Sequence, residues 1–280
     1  YEIRLSLVGS EMCIRDSSMM NRSMEHFDIL QVNNKPNFFV THTDMPYKIT
    51  DYTLDSYVKQ MRLRVLDRIT EVFGVDTSDA AIRKAVEQHN EVCRIISEIS
   101  EMRKAQNPVI TGYEFHIITL ATYAAPKKFL IPMLEETLAE LKVREPDRKG
   151  YRVRVALVGS EVDDPEFTKL IESCGAMVVA DRYCFGSFPS REQIEILSGE
   201  TAFDAICRHY LHWNQCARFM DGMKIDQRHS EVKRLVDEFS ADGVIYENMK
   251  FCEFWSYEKV LASNISVSYT HLRAHETKAN

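Results

Sequence analysis

The sequence predicts an α/β protein in which a doubly wound parallel sheet follows a largely helical region. The stretch YRVRVALVG at 151–159 becomes continuously apolar, which is typical of strands buried on both faces of a parallel sheet. A helix opened by Asp164 and Pro165 leads to a second apolar strand, AMVVA at 176–180, and DGVIYENMKF supplies another strand at about 243–246. This order of strand, helix and strand predicts a right-handed βαβ unit.

Apolar residues spaced three and four apart predict long helices before that sheet. One run covers 54–69 and ends at Gly74. A second begins after the capping pair Thr-Ser at 77–78, and its apolar stripe includes both His89 and Cys93. We therefore interpret these two side chains as helix core rather than as metal ligands.

Prolines and charges divide the remaining sequence. The helical stretch at about 114–142 contains Pro126 and Pro132 and is therefore expected to form two helices. REPDRKG at 144–150 is a charged segment with proline and glycine, which predicts the start of a C-terminal domain at 148–266. The further helices predicted in that domain lie at about 191–220 and 229–240.

The two ends of the chain are related through the genetic code. With one permitted codon for each residue, the DNA encoding LVGSEMCIRDS at 7–17 has a reverse complement that, in a shifted frame, encodes VSYTHLRAHE at 267–276. Unrelated peptides do not share such a relation by chance, so we expect 1–17 and 267–280 to be translated sequencing adapter. The remainder, 18–266, is then expected to be a gene fragment cut at both ends.

Composition argues against several classes of function. The net charge is −7 and no run is rich in lysine or arginine, which argues against nucleic acid as the main partner. No segment approaches about 18 consecutive apolar residues, so no membrane span is expected. Without a signal peptide or the cysteine spacing of a secreted disulfide framework, we interpret the thiols as reduced and the protein as cytoplasmic. The cysteines outside the expected adapter are Cys93, Cys174, Cys184, Cys207, Cys216 and Cys252.

Three loops should meet at one edge of the predicted sheet. They are GSEVDD at 159–164, DRYCFGSF at 181–188 and ENMKFCEFW at 247–255, and each follows a strand. In open α/β sheets, ligands bind beyond the carboxyl ends of the strands. We therefore expect Cys184 and Cys252 at this edge, facing a common cleft with the first loop. Their spacing leaves open whether they bind a metal or only pack.

The first of these loops does not have the sequence of a known phosphate or nucleophile site. GSEVDD lacks the GxGxxG and GxxxxGK[ST] patterns, and the carboxylates of Glu161, Asp163 and Asp164 would repel phosphate. No GxSxG motif surrounds Ser160. Neither nucleotide binding nor nucleophilic catalysis is therefore expected from this loop.

Three stretches of the C-terminal half resemble one protein family. They are CGAMVVADRYCFGSF, HYLHWNQCARFMDGMKIDQR and DEFSADGVIYENMKFCEFWSYE. As a set, they are similar to the C-terminal half of the 2-hydroxyacyl-CoA dehydratase and benzoyl-CoA reductase subunits, of the 2-hydroxyglutaryl-CoA dehydratase D-component type. Weaker similarity extends back through THTDMP, so the resemblance covers nearly all of 18–266.

The resemblance implies a flavodoxin-like C-terminal domain and, within 18–147, the remnant of a truncated N-terminal α/β domain. It also implies an oxygen-sensitive [4Fe-4S] cluster, a second homologous subunit in a heterodimer, and a separate ATP-dependent iron–sulfur activator protein. The implied reaction is the radical dehydration of a 2-hydroxyacyl-CoA to an enoyl-CoA, a step of anaerobic metabolism. Two alternatives remain open: a benzoyl-CoA reductase-type subunit, and a non-catalytic α/β partner subunit.

The resemblance also assigns individual cysteines. Cys252 in MKFC matches the family's C-terminal cluster cysteine, and Cys184 and Cys216 match recurring family cysteines, whereas no catalytic residue is assigned. The family's other cluster cysteines precede the THTDMP region, where this chain has no cysteine between Ser18 and Cys93. We therefore expect the chain not to assemble the cluster and to be inactive by itself.

Overall fold

A computed structural model describes residues 41–266, except 42, 47, 147–149, 185, 188–191, 214–215, 220–221 and 251. The strand expected at Phe38–Val40 and the expected adapter segments lie outside the described residues. Helices dominate the first half, and the strands of the second half form one sheet. Within the described residues, no helix has both the length and the apolar character needed to cross a membrane.

Among the described residues, the helices that precede the sheet are α1 Asp51–Met61, α2 Asp67–Phe73, α3 Asp79–Glu101, α4 Gly112–Ala124 and α5 Lys127–Val143. A π-helical turn, Arg62–Leu66, makes α1 and α2 continuous, and a short 3-10 helix, Met102–Lys104, extends α3. The second half contains β1 Val153–Gly159, α6 Pro165–Ser173, β2 Ala176–Arg182, α7 Ala202–Trp213, α8 Gly222–Glu238, β3 Gly243–Glu247 and α9 Glu253–Ser266.

The predicted ends of the first helices are confirmed. Gly74 adopts a left-handed conformation with φ 63° and ends α2, which glycine does without a side-chain clash. The Ser78 side chain accepts a hydrogen bond from the backbone N–H of Ala81 and starts α3. His89 and Cys93 lie on the buried face of this helix, as predicted.

The helical stretch with two prolines is divided as predicted, and the division lies at Pro126. This residue precedes α5, whereas Pro132 lies inside α5 and does not interrupt it. A capping box starts α4, in which the side chains of Thr111 and Glu114 each accept a backbone hydrogen bond from the other residue. Local sequence patterns therefore account for these helix ends.

In the described part of the chain, the sheet has three parallel strands in the order β2-β1-β3. β1 pairs with β2 in a register that places Val153 beside Ala176, and it pairs with β3 from Val155 beside Gly243. The α/β class and the parallel pairing of the predicted strands are confirmed. The flavodoxin order begins with the same three strands, but the described sheet is smaller. The flavodoxin-like assignment, the truncated N-terminal domain and the boundary at 148 stay predictions.

The helix predicted at about 191–220 is wrong at both ends, because α7 begins only at Ala202 and ends at Trp213. Contacts with α3 explain the late start. The Asn90 side chain accepts from the Ile194 N–H at 2.7 Å and donates to the Ile194 carbonyl at 3.0 Å. These bonds hold the segment before α7 against α3. Asp79 accepts a hydrogen bond from the Ala202 N–H at 2.7 Å and caps α7. Tertiary hydrogen bonds therefore override the local helical pattern.

The helix predicted at about 229–240 is also wrong at its start, because α8 begins at Gly222. The side chains that its first turns bury include those of Lys224 and Arg228. Both are charged: Lys224 donates to the His212 carbonyl at the end of α7, and Arg228 donates to the Phe219 carbonyl in the loop before α8. A search for apolar periodicity does not detect a helix face of this kind.

Buried polar contacts join the helical region to the sheet. Arg103 forms an ion pair with Asp181 of β2 at 2.7 Å, and both side chains are buried. Glu172 of α6 accepts hydrogen bonds from the N–H groups of Gly112 and Tyr113 at 2.8 and 3.2 Å. These N–H groups belong to the first turn of α4, where a helix has no internal acceptor for them. Buried charged side chains of each half therefore bond to groups of the other half.

Buried histidines should make the protein less stable in acid. Burial lowers the pKa of His89 and of His209 to about 4. As the pH falls, the unfolded chain binds these protons first, so the stability contributed by the neutral imidazoles is complete above about pH 6.5 and is lost toward pH 4. For His89→Gln we expect the slope of unfolding free energy against pH to decrease by up to about 1.4 kcal/mol per pH unit, as measured by urea unfolding.

Val92→Ala is the matched control for this measurement. It removes buried volume from the same helix without removing a titratable group. It should lower the free energy of unfolding at every pH and leave the slope unchanged. An unchanged slope in His89→Gln would contradict the assignment of a neutral imidazole at position 89.

Candidate functional site

The carboxyl ends of the strands lie at one edge of the sheet, where β1, β2 and β3 end at Gly159, Arg182 and Glu247. The loop after β1 contacts the other two loops. The Ser160 N–H donates to the Glu247 carbonyl at 3.3 Å, and the Ser160 carbonyl accepts from the Cys184 N–H at 2.9 Å. The predicted meeting of the three loops at one edge is confirmed.

Ser160 also joins the loops through its side chain. The residue is fully buried, and its hydroxyl donates to Glu247 Oε2 at 2.8 Å and accepts from the Met249 N–H. The preceding Gly159 has φ 154° and passes so close to β3 that a Cβ atom would lie 2.0 Å from the Glu247 carbonyl oxygen. The loop after β1 and the end of β3 therefore pack in direct backbone contact.

Cys252 lies at the start of α9 and is half-buried. Its N–H donates to the Met249 carbonyl at 3.0 Å, and its carbonyl accepts from the Ser256 N–H at 3.2 Å, as in the first turn of a helix. Its side chain packs against the apolar group formed by Val158, Ala217 and Trp255.

Cys184 lies in a turn that follows β2 and is also half-buried. The Gly186 N–H donates to the Tyr183 carbonyl at 2.9 Å and closes the turn. The Asp181 carboxylate accepts from the Ser187 N–H at 2.6 Å and so holds the far side of the turn against β2. Because this carboxylate is also the ion-pair partner of the helical region, the turn is tied to both halves of the molecule.

Cys216 lies on a loop near the same edge, but its side chain packs elsewhere. Arg228 donates to the carbonyls of Cys216 and Phe219 at 3.3 and 2.7 Å, which holds the loop against α8. The neighbouring Ala217 packs in the same group of apolar side chains as Cys252, whereas the buried Cys216 side chain packs with Phe219. The side chains of Cys216 and Cys252 therefore belong to different parts of the hydrophobic core.

Comparison with known proteins assigns this chain to a family. The family model for the 2-hydroxyglutaryl-CoA dehydratase D-component matches residues 13–265. The chain belongs to this family. The match begins inside the segment 1–17 that is expected to be adapter, so that expectation stays a prediction.

Two curated relatives have names that refer to dehydratases. The chain is 24% identical over 221 residues to YjiM of Escherichia coli (strain K12), which has the provisional name of a dehydratase subunit, and the match covers 77% of this chain and 56% of YjiM. It is 22% identical over 204 residues to the (R)-phenyllactyl-CoA dehydratase beta subunit of Clostridium sporogenes, a match that covers 72% of this chain and 52% of that protein. The chain therefore spans about half the length of these relatives.

Three other cysteines of this D-component family member lie away from the candidate site. Burial raises the pKa of Cys93 and of Cys207 to about 12, so these thiols are protonated at neutral pH and offer no thiolate ligand. Cys174 is exposed and lies between α6 and β2, at the edge where the strands begin. The candidate ligands are therefore separated from the remaining thiols by burial and by position.

Acidic side chains lie beside the loop after β1. Burial raises the pKa of Glu161, and the carboxylates of Asp163 and Glu247 raise it further. Burial also raises the pKa of Glu247, although hydrogen bonds from Ser160 oppose this shift. The bond between Ser160 and Glu247 was not predicted, because it joins residues 87 positions apart and no local pattern indicates it.

The sheet edge contains the type of side chain that binds an iron–sulfur cluster. Thiolates are the ligands that such clusters require, and the edge presents the thiols of Cys184 and Cys252 half-buried. In the part of the chain that the structure describes, no group of three or more histidine, cysteine, aspartate or glutamate side chains is arranged to hold a metal ion. The ligand roles of Cys184, Cys216 and Cys252 therefore stay predictions.

Gly159→Ala should destabilise the protein, because the added Cβ atom would meet the backbone of β3 and not a movable side chain. We expect the free energy of unfolding to fall by about 2 kcal/mol or more, measured by urea unfolding. Gly222→Ala is the control, since a Cβ atom there has no neighbour within 4 Å. Equal stability of the two variants would contradict the close approach of the loop to β3.

Proposed function

We propose that this chain is part of an iron–sulfur subunit of a 2-hydroxyacyl-CoA dehydratase, a hydro-lyase that converts a 2-hydroxyacyl-CoA to an enoyl-CoA and water. The observation that supports this most directly is the position of two half-buried cysteines, Cys184 and Cys252, at one sheet edge of a D-component family member. One relative is named for (R)-phenyllactyl-CoA dehydratase, which favours an acyl-CoA thioester as the substrate class.

In this proposal, Cys252 and Cys184 hold a [4Fe-4S] cluster, and the family resemblance implies further cysteine ligands that precede the THTDMP region. An iron–sulfur cluster, when bound, supplies one-electron chemistry at low potential. Cys252 is suited to the role by its position, because it lies half-buried at the start of α9, beside the carboxyl ends of the strands. Cys216 is a further candidate, but its side chain would have to leave the contacts that it makes with Phe219.

The proposed partners are a second homologous subunit and an ATP-dependent activator protein that transfers an electron to the enzyme. The proposed location of all three proteins is the cytoplasm. The electron converts the thioester carbonyl to a ketyl radical, from which the 2-hydroxyl group departs. Loss of that hydroxyl and of a proton from the next carbon gives the enoyl-CoA and water, and the electron is recovered. The net reaction is therefore a dehydration without net oxidation or reduction. The designation of one relative as a beta subunit favours an assembly of unlike subunits.

Two alternative functions lead to different expectations. A benzoyl-CoA reductase-type subunit would use the injected electron for ring reduction, but the two relatives compared here have dehydratase names, which favours dehydration. A non-catalytic partner subunit would keep the fold without a working cluster. The iron content of the intact subunit distinguishes this last possibility from an enzyme component.

Replacing Cys252 should remove the proposed cluster. In the full-length subunit, produced anaerobically together with its partner subunit, we expect Cys252→Ala to lose most of the bound iron, the visible absorption of the cluster and the dehydratase activity. The physical reason is that an alanine side chain offers no thiolate to the metal. Iron analysis, the absorption spectrum and an assay of enoyl-CoA formation measure these three losses.

Cys174→Ala is the matched control, since Cys174 is an exposed cysteine at the opposite edge of the sheet. It should retain iron and activity. Full iron content in Cys252→Ala would exclude the ligand role assigned to this residue. A wild-type subunit without iron would favour the non-catalytic partner instead.

A further inference from the structure

We propose that Ser160 is a positioning residue that sets the separation of the Cys184 and Cys252 loops at the candidate cluster site. The inference rests on the proposed function, because it concerns the same site. A nucleophilic role differs from this one and has no GxSxG motif to support it. Ser160 acts through the backbone of the two loops and not on the substrate.

Each polar atom of Ser160 bonds to one of the two neighbouring loops. Its N–H donates to the Glu247 carbonyl at 3.3 Å, and its carbonyl accepts from the Cys184 N–H at 2.9 Å. Its hydroxyl donates to the Glu247 carboxylate at 2.8 Å and accepts from the Met249 N–H. The exposed fraction of the residue is 0%. A buried hydroxyl that both donates and accepts is held in one orientation.

Ser160 is connected to both cysteines by hydrogen bonds, directly to Cys184 and through one intervening residue to Cys252. Cys184 is bonded to Ser160 directly, through its own N–H. The Cys252 N–H donates to the Met249 carbonyl at 3.0 Å, and the N–H of the same Met249 is held by the Ser160 hydroxyl. The Ser160 hydroxyl therefore bonds to a residue of the Cys252 loop that lies beyond the end of β3.

Loss of the hydroxyl should affect the two loops unequally. Ser160→Ala keeps both backbone hydrogen bonds and hence the link to Cys184. It deprives the Met249 N–H and the Glu247 carboxylate of a partner, and partly buried polar groups without partners move toward water. The loop that contains Cys252 should shift, while the Cys184 turn keeps its other contacts. Ser160→Thr retains a hydroxyl and should preserve the arrangement.

The first measurement follows the thiols in iron-free protein. The full-length subunit with its partner is stripped of iron by a chelator, and maleimide labelling of each cysteine is followed by peptide mass spectrometry. We expect Ser160→Ala to label Cys252 several-fold faster than wild type does, while the exposed Cys174 labels at the wild-type rate. Thr119→Val is the control, because it removes another fully buried hydroxyl, which bonds to Phe115 within α4.

The second measurement follows the loaded protein under anaerobic conditions. We expect Ser160→Ala to lower the bound iron and to change the electron paramagnetic resonance spectrum of the reduced protein, and Ser160→Thr to restore both. If Ser160→Ala does not fold, Glu247→Ala replaces it, because this change removes the acceptor of the same hydroxyl from a half-buried position. The same changes in labelling and spectrum are then expected.

The outcomes separate this inference from the proposed function. Wild-type labelling and spectra in Ser160→Ala, in a protein whose Cys252→Ala variant loses iron, would overturn the positioning role alone. Equal changes in Thr119→Val would overturn it as well, since they would reflect a general loss of stability. A wild-type protein that binds no iron would contradict the proposed function, and the labelling rates would still decide whether Ser160 holds the Cys252 loop.

Discussion

The buried ion pair between Arg103 and Asp181 is the contact on which the arrangement of the two halves depends. Its side chains are only 1% and 2% exposed. Two charges removed from water are costly unless further partners stabilise them. Here Arg103 also donates to the Ser100 hydroxyl at 3.0 Å and lies 3.6 Å from the centre of the Phe115 ring, and Asp181 accepts from the Ser187 N–H. Removing either charge would leave the other buried without its counter-ion.

This ion pair also links the helical region to the candidate site. Asp181 lies next to the last residue of β2, and its second carboxylate oxygen holds the turn that contains Cys184. Glu172 makes a similar connection on α6, where it accepts hydrogen bonds from the start of α4. A side chain on the helices therefore influences the conformation of a loop at the sheet edge. If a domain boundary lies at 148, the two domains contact each other through buried charged side chains.

Local patterns predicted much of the fold, and contacts between distant residues account for what they missed. Gly74 and Ser78 end and start helices through interactions within one turn, so their roles can be recognised in sequence. The contact of Asn90 with Ile194 joins residues 104 positions apart, and it holds a non-helical segment where a helix was predicted. Periodicity shows which face of an element is buried, but it does not show which polar side chain will meet that face.

The same distinction explains which features of the site were predictable. Parallel strands point the same way, so the edge shared by Cys184 and Cys252 follows from their positions after β2 and β3. The connection between their loops does not follow, because it passes through Ser160 and a hydrogen bond to Glu247. A CxxC motif holds two thiols together through one short loop. Here the two cysteines follow different strands, so the sheet and the hydrogen bonds between the loops set the positions of the backbone that supports them.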